Sequence, residues 1–339
     1  SHPLRGGRPK CGPFLFPFPP PPAPPPAPAP ADGFGDLVAA RVASRRSQLV
    51  LGLDPDPVRL WPRALELTEQ AGLDTAATSA ERAATAVRIH CGLAIEAAGE
   101  QCVAVKLQVA CFERLGGPGW EALREVSTRA RNAGLLVIAD AKRGDIDVSA
   151  SAYAQAFFGE TQTAFGPVRG LGVDAITANP LLGLDSLLPL VAGAREHGGG
   201  IFVLVRTSNP GAADLQELAL RDGGTVAQRL AAVVSTLGAD GVGAAGLADV
   251  GAVVGATAPE RLRDLRDRMP AAILLLPGVG AQGGRVEDLA PAFAPGPAAA
   301  LVTVSRGLVL AHELLGGDPA AAAAAEAARI RDMTWRLAQ

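Results

Sequence analysis

The chain has 339 residues, 48% of them hydrophobic, enough to build one large α/β domain or two ordinary ones. Its 31 basic and 34 acidic residues leave a formal net charge of -3, which excludes the broad positive field that draws a protein to nucleic acid or anionic lipid; an anionic ligand has to be caught locally. No apolar run approaches the ~20 residues of a membrane-spanning helix. The four cysteines (Cys11, Cys91, Cys102, Cys111) and four histidines (His2, His90, His197, His312) show neither zinc-site spacing nor disulfide density, so a reduced cytoplasmic protein without a metal site is expected.

Residues 1–33 hold 13 of the 28 prolines, a composition that forms neither ladder nor helix and predicts a disordered Pro-rich tail. The expectation is a dispensable segment, with a polyproline docking ligand as the alternative. The Phe14-Leu15-Phe16-Pro17-Phe18 patch is too short and too broken by proline for a signal-peptide core. From Phe34 onward, short β-branched runs alternate with stretches of helical periodicity. The runs fall at 49–53, 103–107, 135–139, 175–178, 202–206, 251–255, 273–277 and 300–305. The predicted helices cover 80–98, 120–133, 148–158, 184–195, 212–237, 259–268 and 320–337. Eight βα units predict one domain over 34–339, a closed (β/α)8 TIM barrel. An open doubly wound sheet is the alternative; against it, the first strand ends in Gly52-Leu53-Asp54-Pro55 and not in G-x-G-x-x-G.

Most of the apolar runs stop at a chemically capable residue. In chain order these are Asp54, Lys106 with Gln108, Asp140 with Lys142, Asn179, Thr207 with Ser208, Gln282 after the seventh run, and Arg306. In a barrel these ends surround one mouth. Any one of them alone reads as a solvated strand end. As a set, two lysines and several aspartates converging on one cavity would be costly unless they pair with each other and with a ligand. Asp140, Lys142 and Asp145 form D-x-K-x-x-D. The two-residue step puts the first two on one side of an extended strand, while Asp145 lies beyond Gly144 and can point elsewhere.

Two Gly-rich segments follow the last two runs, Pro277-Gly278-Val279-Gly280-Ala281-Gln282-Gly283-Gly284 and Ser305-Arg306-Gly307. In this architecture that is the usual place for a phosphate held by backbone N–H groups. Arg306 would supply a bidentate donor and Gln282 a neutral one.

Asp140-Ala141-Lys142-Arg143-Gly144-Asp145-Ile146 resembles the signature of the orotidine 5′-phosphate decarboxylase family, in its longer bacterial (type 2) subgroup. The likeness runs from about Phe34 to the C-terminus. It is supported by Leu51-Gly52-Leu53-Asp54-Pro55, by the segment from Lys106 to Glu113, by Arg206-Thr207-Ser208-Asn209-Pro210-Gly211 and by both Gly-rich segments. The resemblance implies a homodimeric barrel, without metal or organic cofactor, that converts orotidine 5′-monophosphate to UMP and CO2. It implies a charged array of Lys106, Asp140 and Lys142, with Lys142 as proton donor and Asp145 contributed by the other subunit. By the same likeness, Asp54 and Lys106 would hold the ribose together with Asp145 and Ser149 reaching across the dimer. Ser208 would read the pyrimidine, and Gln282, Arg306 and Gly307 would bind the phosphate.

One departure stands out. Where the family usually has Gly-Ser-Thr after D-x-K-x-x-D-I, this chain has Asp147-Val148-Ser149; Ser149 keeps the hydroxyl, and Asp147 adds a carboxylate near the expected sugar site. Two other readings stay open: an Mg²⁺-dependent sugar-phosphate lyase of the same superfamily, which shares D-x-K-x-x-D, and a non-catalytic barrel that binds nucleotide phosphate.

Overall fold

The eight apolar runs become eight parallel strands that close on themselves in the computed structural model, which describes residues 33–72 and 76–339. They are β1 (Leu49–Leu53), β2 (Ala104–Gln108), β3 (Leu136–Arg143), β4 (Ala175–Ala178), β5 (Gly200–Arg206), β6 (Val250–Val254), β7 (Leu274–Leu276) and β8 (Ala300–Val304). Each strand pairs with its neighbours in chain order, and β8 returns to β1 through Leu49 opposite Val302. Closure removes the open-sheet alternative. The expected tail lies outside the described residues except for Gly33.

Burial on both faces explains why these strands read as continuous apolar runs. Leu49, Leu51 and Leu53 pack outward on the helical layer, while Val50 points into the barrel with Ile138, Phe202, Val253, Ile273, Leu275 and Leu301. A helix absent from the expected set, Phe34–Arg45, precedes β1 and closes the N-terminal end of this lumen. Its Phe34, Val38 and Val42 are buried there, and Phe34 meets Phe202 edge to face at 5.9 Å. Close approach requires Gly200: a Cβ there would lie 2.2 Å from the Phe34 ring.

The outer helices match their periodicity to within a few residues, with one correction. The stretch 212–237 is two helices, Ala212–Gln216 and Val226–Gly238. Gly223 and Gly224, both at positive φ, break the helix between them. Thr225 then restarts it with a capping box to Gln228. A small antiparallel hairpin, Glu160–Thr161 with Val168–Arg169, is inserted after the helix Asp147–Phe157. Among the described residues, no helix is long and apolar enough to cross a membrane.

Candidate active site

Alternate residues of a barrel strand face the lumen. Toward the C-terminal ends that inner face turns from apolar to polar, and a cavity of about 360 Å³ opens there. Its wall includes Asp54 after β1, Lys106 and Gln108 on β2, Asp140 and Lys142 on β3, Ser208 after β5, Gln282 after β7 and Arg306 after β8. Most of the expected site residues therefore meet in one place: Asp54, Lys106, Asp140, Lys142, Ser208, Gln282 and Arg306.

Asp140 is the hub. Its Oδ2 accepts from Lys106 Nζ at 2.6 Å and from Gln108 Nε2 at 3.2 Å. Its Oδ1 accepts from Lys142 Nζ at 2.5 Å and from Thr177 Oγ1 at 2.9 Å. Burial alone would push the Asp140 carboxyl up, but the Lys106 and Lys142 ammoniums outweigh it and hold the group well below the usual carboxylate range. Burial likewise disfavours the Lys106 ammonium. Asp140 and, 3.7 Å away, Asp54 reverse that effect, so the Lys106 pKa is raised. Asp140 and Lys106 are therefore both charged at neutral pH. Lys106 is buried, whereas the Lys142 side chain is 43% exposed and opens onto the cavity. An ammonium has three N–H donors and Asp140 takes one, leaving two for a ligand.

The backbone of β3 creates this arrangement. Ala139 pairs with Ile176 and Arg143 with Ala178, so residues 140–142 bulge opposite Thr177 alone. Within the bulge Lys142 sits at φ +49, a left-handed conformation that costs a non-glycine residue about 1–2 kcal/mol. Its N–H donates to Thr177 Oγ1 at 2.9 Å. The bulge also turns Arg143 away from the mouth: its guanidinium pairs with Glu113 and lies over the rings of Tyr153 and Phe157. The second cation of the signature is therefore structural.

The opposite rim is built differently. Residues 278–284 form a tight loop in which Gly284 N–H donates to Gly278 O and Gly280 N–H to Gly284 O. Gly278 stands at φ +103, and a Cβ there would lie 2.9 Å from Gln282 Oε1 and 3.0 Å from Ser208 Cβ; only glycine lets this loop fold over Ser208. Among the described residues, the side chains of Gln282 and Arg306 have no hydrogen-bond or ion-pair partner, and both are exposed.

Asp145, Ser149 and Gly307 line neither this cavity nor its neighbour. Asp145 Oδ1 accepts from Ile146 N–H in the irregular stretch between β3 and the helix Asp147–Phe157, and Ser149 is exposed on that helix. Gly307 lies one residue behind Arg306 in the helix Arg306–Val309. Asn179, expected at the mouth, instead accepts from Leu181 N–H in a turn. Sequence reasoning missed two residues, Thr177 and Thr303. Both are buried, both line the cavity, and Thr303 Oγ1 has no partner among the described residues. The available signal was a lone threonine inside an apolar run, in phase with the lumen.

A neighbouring cavity of similar volume shares Asp54, Ser305 and Arg306 and is walled by His90, Cys91, Cys111 and Arg114. His90 is buried, its Nδ1 accepts from Trp61 N–H at 3.1 Å, and burial followed by the nearby His312 lowers its pKa to about 4.

The model of the orotidine 5′-phosphate decarboxylase / HUMPS family matches residues 47–325. The orotidine 5′-phosphate decarboxylase of Deinococcus radiodurans is 43% identical over 283 residues, which span 83% of this chain and 90% of that protein. The enzyme of the same description from Rhodopirellula baltica is 43% identical over 256 residues, 76% of this chain and 83% of that one. Among solved structures, the OMP decarboxylase of Leishmania donovani superposes with a TM-score of 0.65 at 33% identity, covering 89% of this chain and 99% of that one.

Proposed function

The chain belongs to the orotidine 5′-phosphate decarboxylase / HUMPS family, and on that premise we propose that it decarboxylates orotidine 5′-monophosphate to UMP and CO2, the last step of de novo UMP synthesis, with no cofactor. The observation that carries the mechanism is the half-open Lys142 ammonium, tied to Asp140 and facing the cavity.

In the reaction the bond from C6 to the carboxylate carbon breaks, the electron pair stays on C6, and CO2 leaves. The lone pair lies in the ring plane and cannot delocalise into the π system, so the uncatalysed barrier is high. Enzymes reach accelerations of ~10¹⁷-fold, about 23 kcal/mol of transition-state stabilisation. A fixed ammonium meets both needs of such a carbanion, because it stabilises the growing negative charge and then hands its proton from Nζ to C6. Asp140 keeps the ammonium in place. Placed beside the departing carboxylate, it also disfavours the ground state by like-charge repulsion.

The rest of the cavity would hold the nucleotide. Asp54 and Lys106 would face the ribose, Ser208 the pyrimidine, and Gln282 and Arg306, unpaired among the described residues, the phosphate; Gly307, expected with them, lies one residue behind Arg306 and off the cavity wall. Asp145 and Ser149 lie outside their own cavity, which supports a homodimer in which each subunit lends them to the other. Exposed Ile146 and Val148, beside them in the chain, give that contact an apolar border.

The rival Mg²⁺-dependent lyase would share the Asp140-x-Lys142 geometry. A spectrophotometric assay separates the two. Loss of orotidylate absorbance that survives EDTA is the expected result; Mg²⁺ dependence with no orotidylate turnover would reject the reading.

A further inference from the structure

We propose that Thr177 is the positioning residue that fixes Lys142 for proton transfer, an inference that rests on the decarboxylase reading. Thr177 is 1% exposed, and its hydroxyl makes two bonds of opposite sense, donating to Asp140 Oδ1 and accepting from Lys142 N–H, each at 2.9 Å. Neither can be reversed, because an ionised carboxylate only accepts and an amide N–H only donates. The hydroxyl proton therefore has one orientation.

The bonds close a ring. Lys142 is held at its backbone by Thr177, Thr177 is held by Asp140, and Asp140 holds the other end of Lys142 through Nζ. In a regular parallel ladder the Lys142 N–H would find a carbonyl on β4. The bulge of residues 140–142 removes that partner, and the Thr177 side chain substitutes for it. Lys142 is thus tethered at both ends in a backbone conformation it would not choose alone. The single side-chain polar atom on β4 that can do this is Thr177 Oγ1, since its neighbours Ile176 and Ala178 carry none.

Thr177→Val keeps the shape and deletes the hydroxyl; Thr177→Ser keeps the hydroxyl and deletes the methyl. Misplacing a reacting group by about 1 Å can cost about 100-fold in rate, and a smaller shift less. The valine variant should accordingly lose about 10- to 100-fold in kcat, with KM and UMP affinity within about threefold of wild type. The serine variant should regain kcat to within about threefold. Hydrogen exchange of the Lys142 amide should be at least about tenfold faster in the valine variant, having lost its buried acceptor. If Thr177→Val does not fold, Thr177→Ala carries the same readouts. A kcat within about twofold of wild type, an unchanged Lys142 amide, or no rescue by serine would each overturn the proposal. Absence of orotidylate turnover in the wild type would sink the reaction instead, while the amide exchange would still decide whether Thr177 holds Lys142.

Discussion

The two rims of the mouth are made on opposite plans. On the β2–β4 side the charges of Lys106, Asp140 and Lys142 are already engaged and, with the Thr177 hydroxyl, form one connected network. On the β7–β8 side Gln282 and Arg306 are exposed and unpaired among the described residues, carried by a glycine-built loop and a short helix. The difference follows from what each rim is asked to do in the proposed reaction. A group that meets charge appearing in a transition state gains from being fixed beforehand. A group that grips a phosphate present from the start gains from being free to close on it, using remote binding energy to align the ring.

That contrast can be broken by mutation, and the largest effect should come from the fixed rim. Lys142→Ala should lower kcat by at least about 10⁴-fold while UMP still binds, because both the stabilising charge and the proton source go. Calorimetry with UMP beside the turnover assay checks both halves, and residual turnover near wild type would refute the assignment of the donor.

Asp140→Asn should come next and hit stability as well as rate. It removes the negative charge paired with a buried cation and puts an NH2 donor in place of one of the two carboxylate oxygens, and breaking a buried pair costs about 3–5 kcal/mol. Chemical denaturation of the variant measures it. A small effect would mean that Asp54, at 3.7 Å, suffices for Lys106.

On the free rim, Arg306→Ala should act mainly on KM. Losing a charge-assisted contact of about 1.5–3 kcal/mol predicts roughly a 10- to 100-fold fall in kcat/KM. A defect confined to kcat would show that the two rims are not divided in this way.

Acid should expose a third region, the neighbouring cavity walled by His90. His90 has a folded pKa of about 4 against 6.5 unfolded. Its stabilising contribution is therefore complete above about pH 6.5 and lost as pH falls toward 4, up to about 3 kcal/mol over that interval. The Asp140 contribution, from a depressed carboxylate, persists above the ordinary carboxylate pKa and fails only below it. Urea unfolding of wild type and His90→Gln across this range should show the upper slope vanish in the variant. An unchanged slope would move the titration elsewhere.

The smallest effect is expected at Asp147. It stands at φ +45 at the head of the helix Asp147–Phe157, in the position where the resembled family carries glycine. Asp147→Gly should relieve that strain and raise stability by about 1 kcal/mol or less, offset in part by loss of a favourable acid in the first helical turn. Thermal unfolding reads the sign.

The barrel was legible because eight β-branched runs between periodic stretches leave little else for a chain to build. The charged array was legible because Lys106, Asp140 and Lys142 are costly residues to place at the ends of buried strands. Thr177 and Thr303 were not, since a threonine is also an ordinary strand former and its hydroxyl matters only once the lumen is known. The three-residue bulge of β3 was equally hidden: nothing in Asp140-Ala141-Lys142 announces that the ladder skips it. The split at Gly223-Gly224 was readable, and was overrun by the helical pattern on either side. The helix Phe34–Arg45 was missed because its role is to face a lumen that no local pattern reveals.

That helix has one more effect. With Phe34 against Phe202 it covers the floor of the barrel, and the cavity described above opens at the other end, at the C-terminal mouth. For the proposed reaction, substrate, gas and product nucleotide would share that mouth, and Gln282 and Arg306, proposed to hold the phosphate, stand at its edge. Release of the product would then depend on the loop of residues 278–284, whose fold rests on Gly278, as well as on the fixed rim.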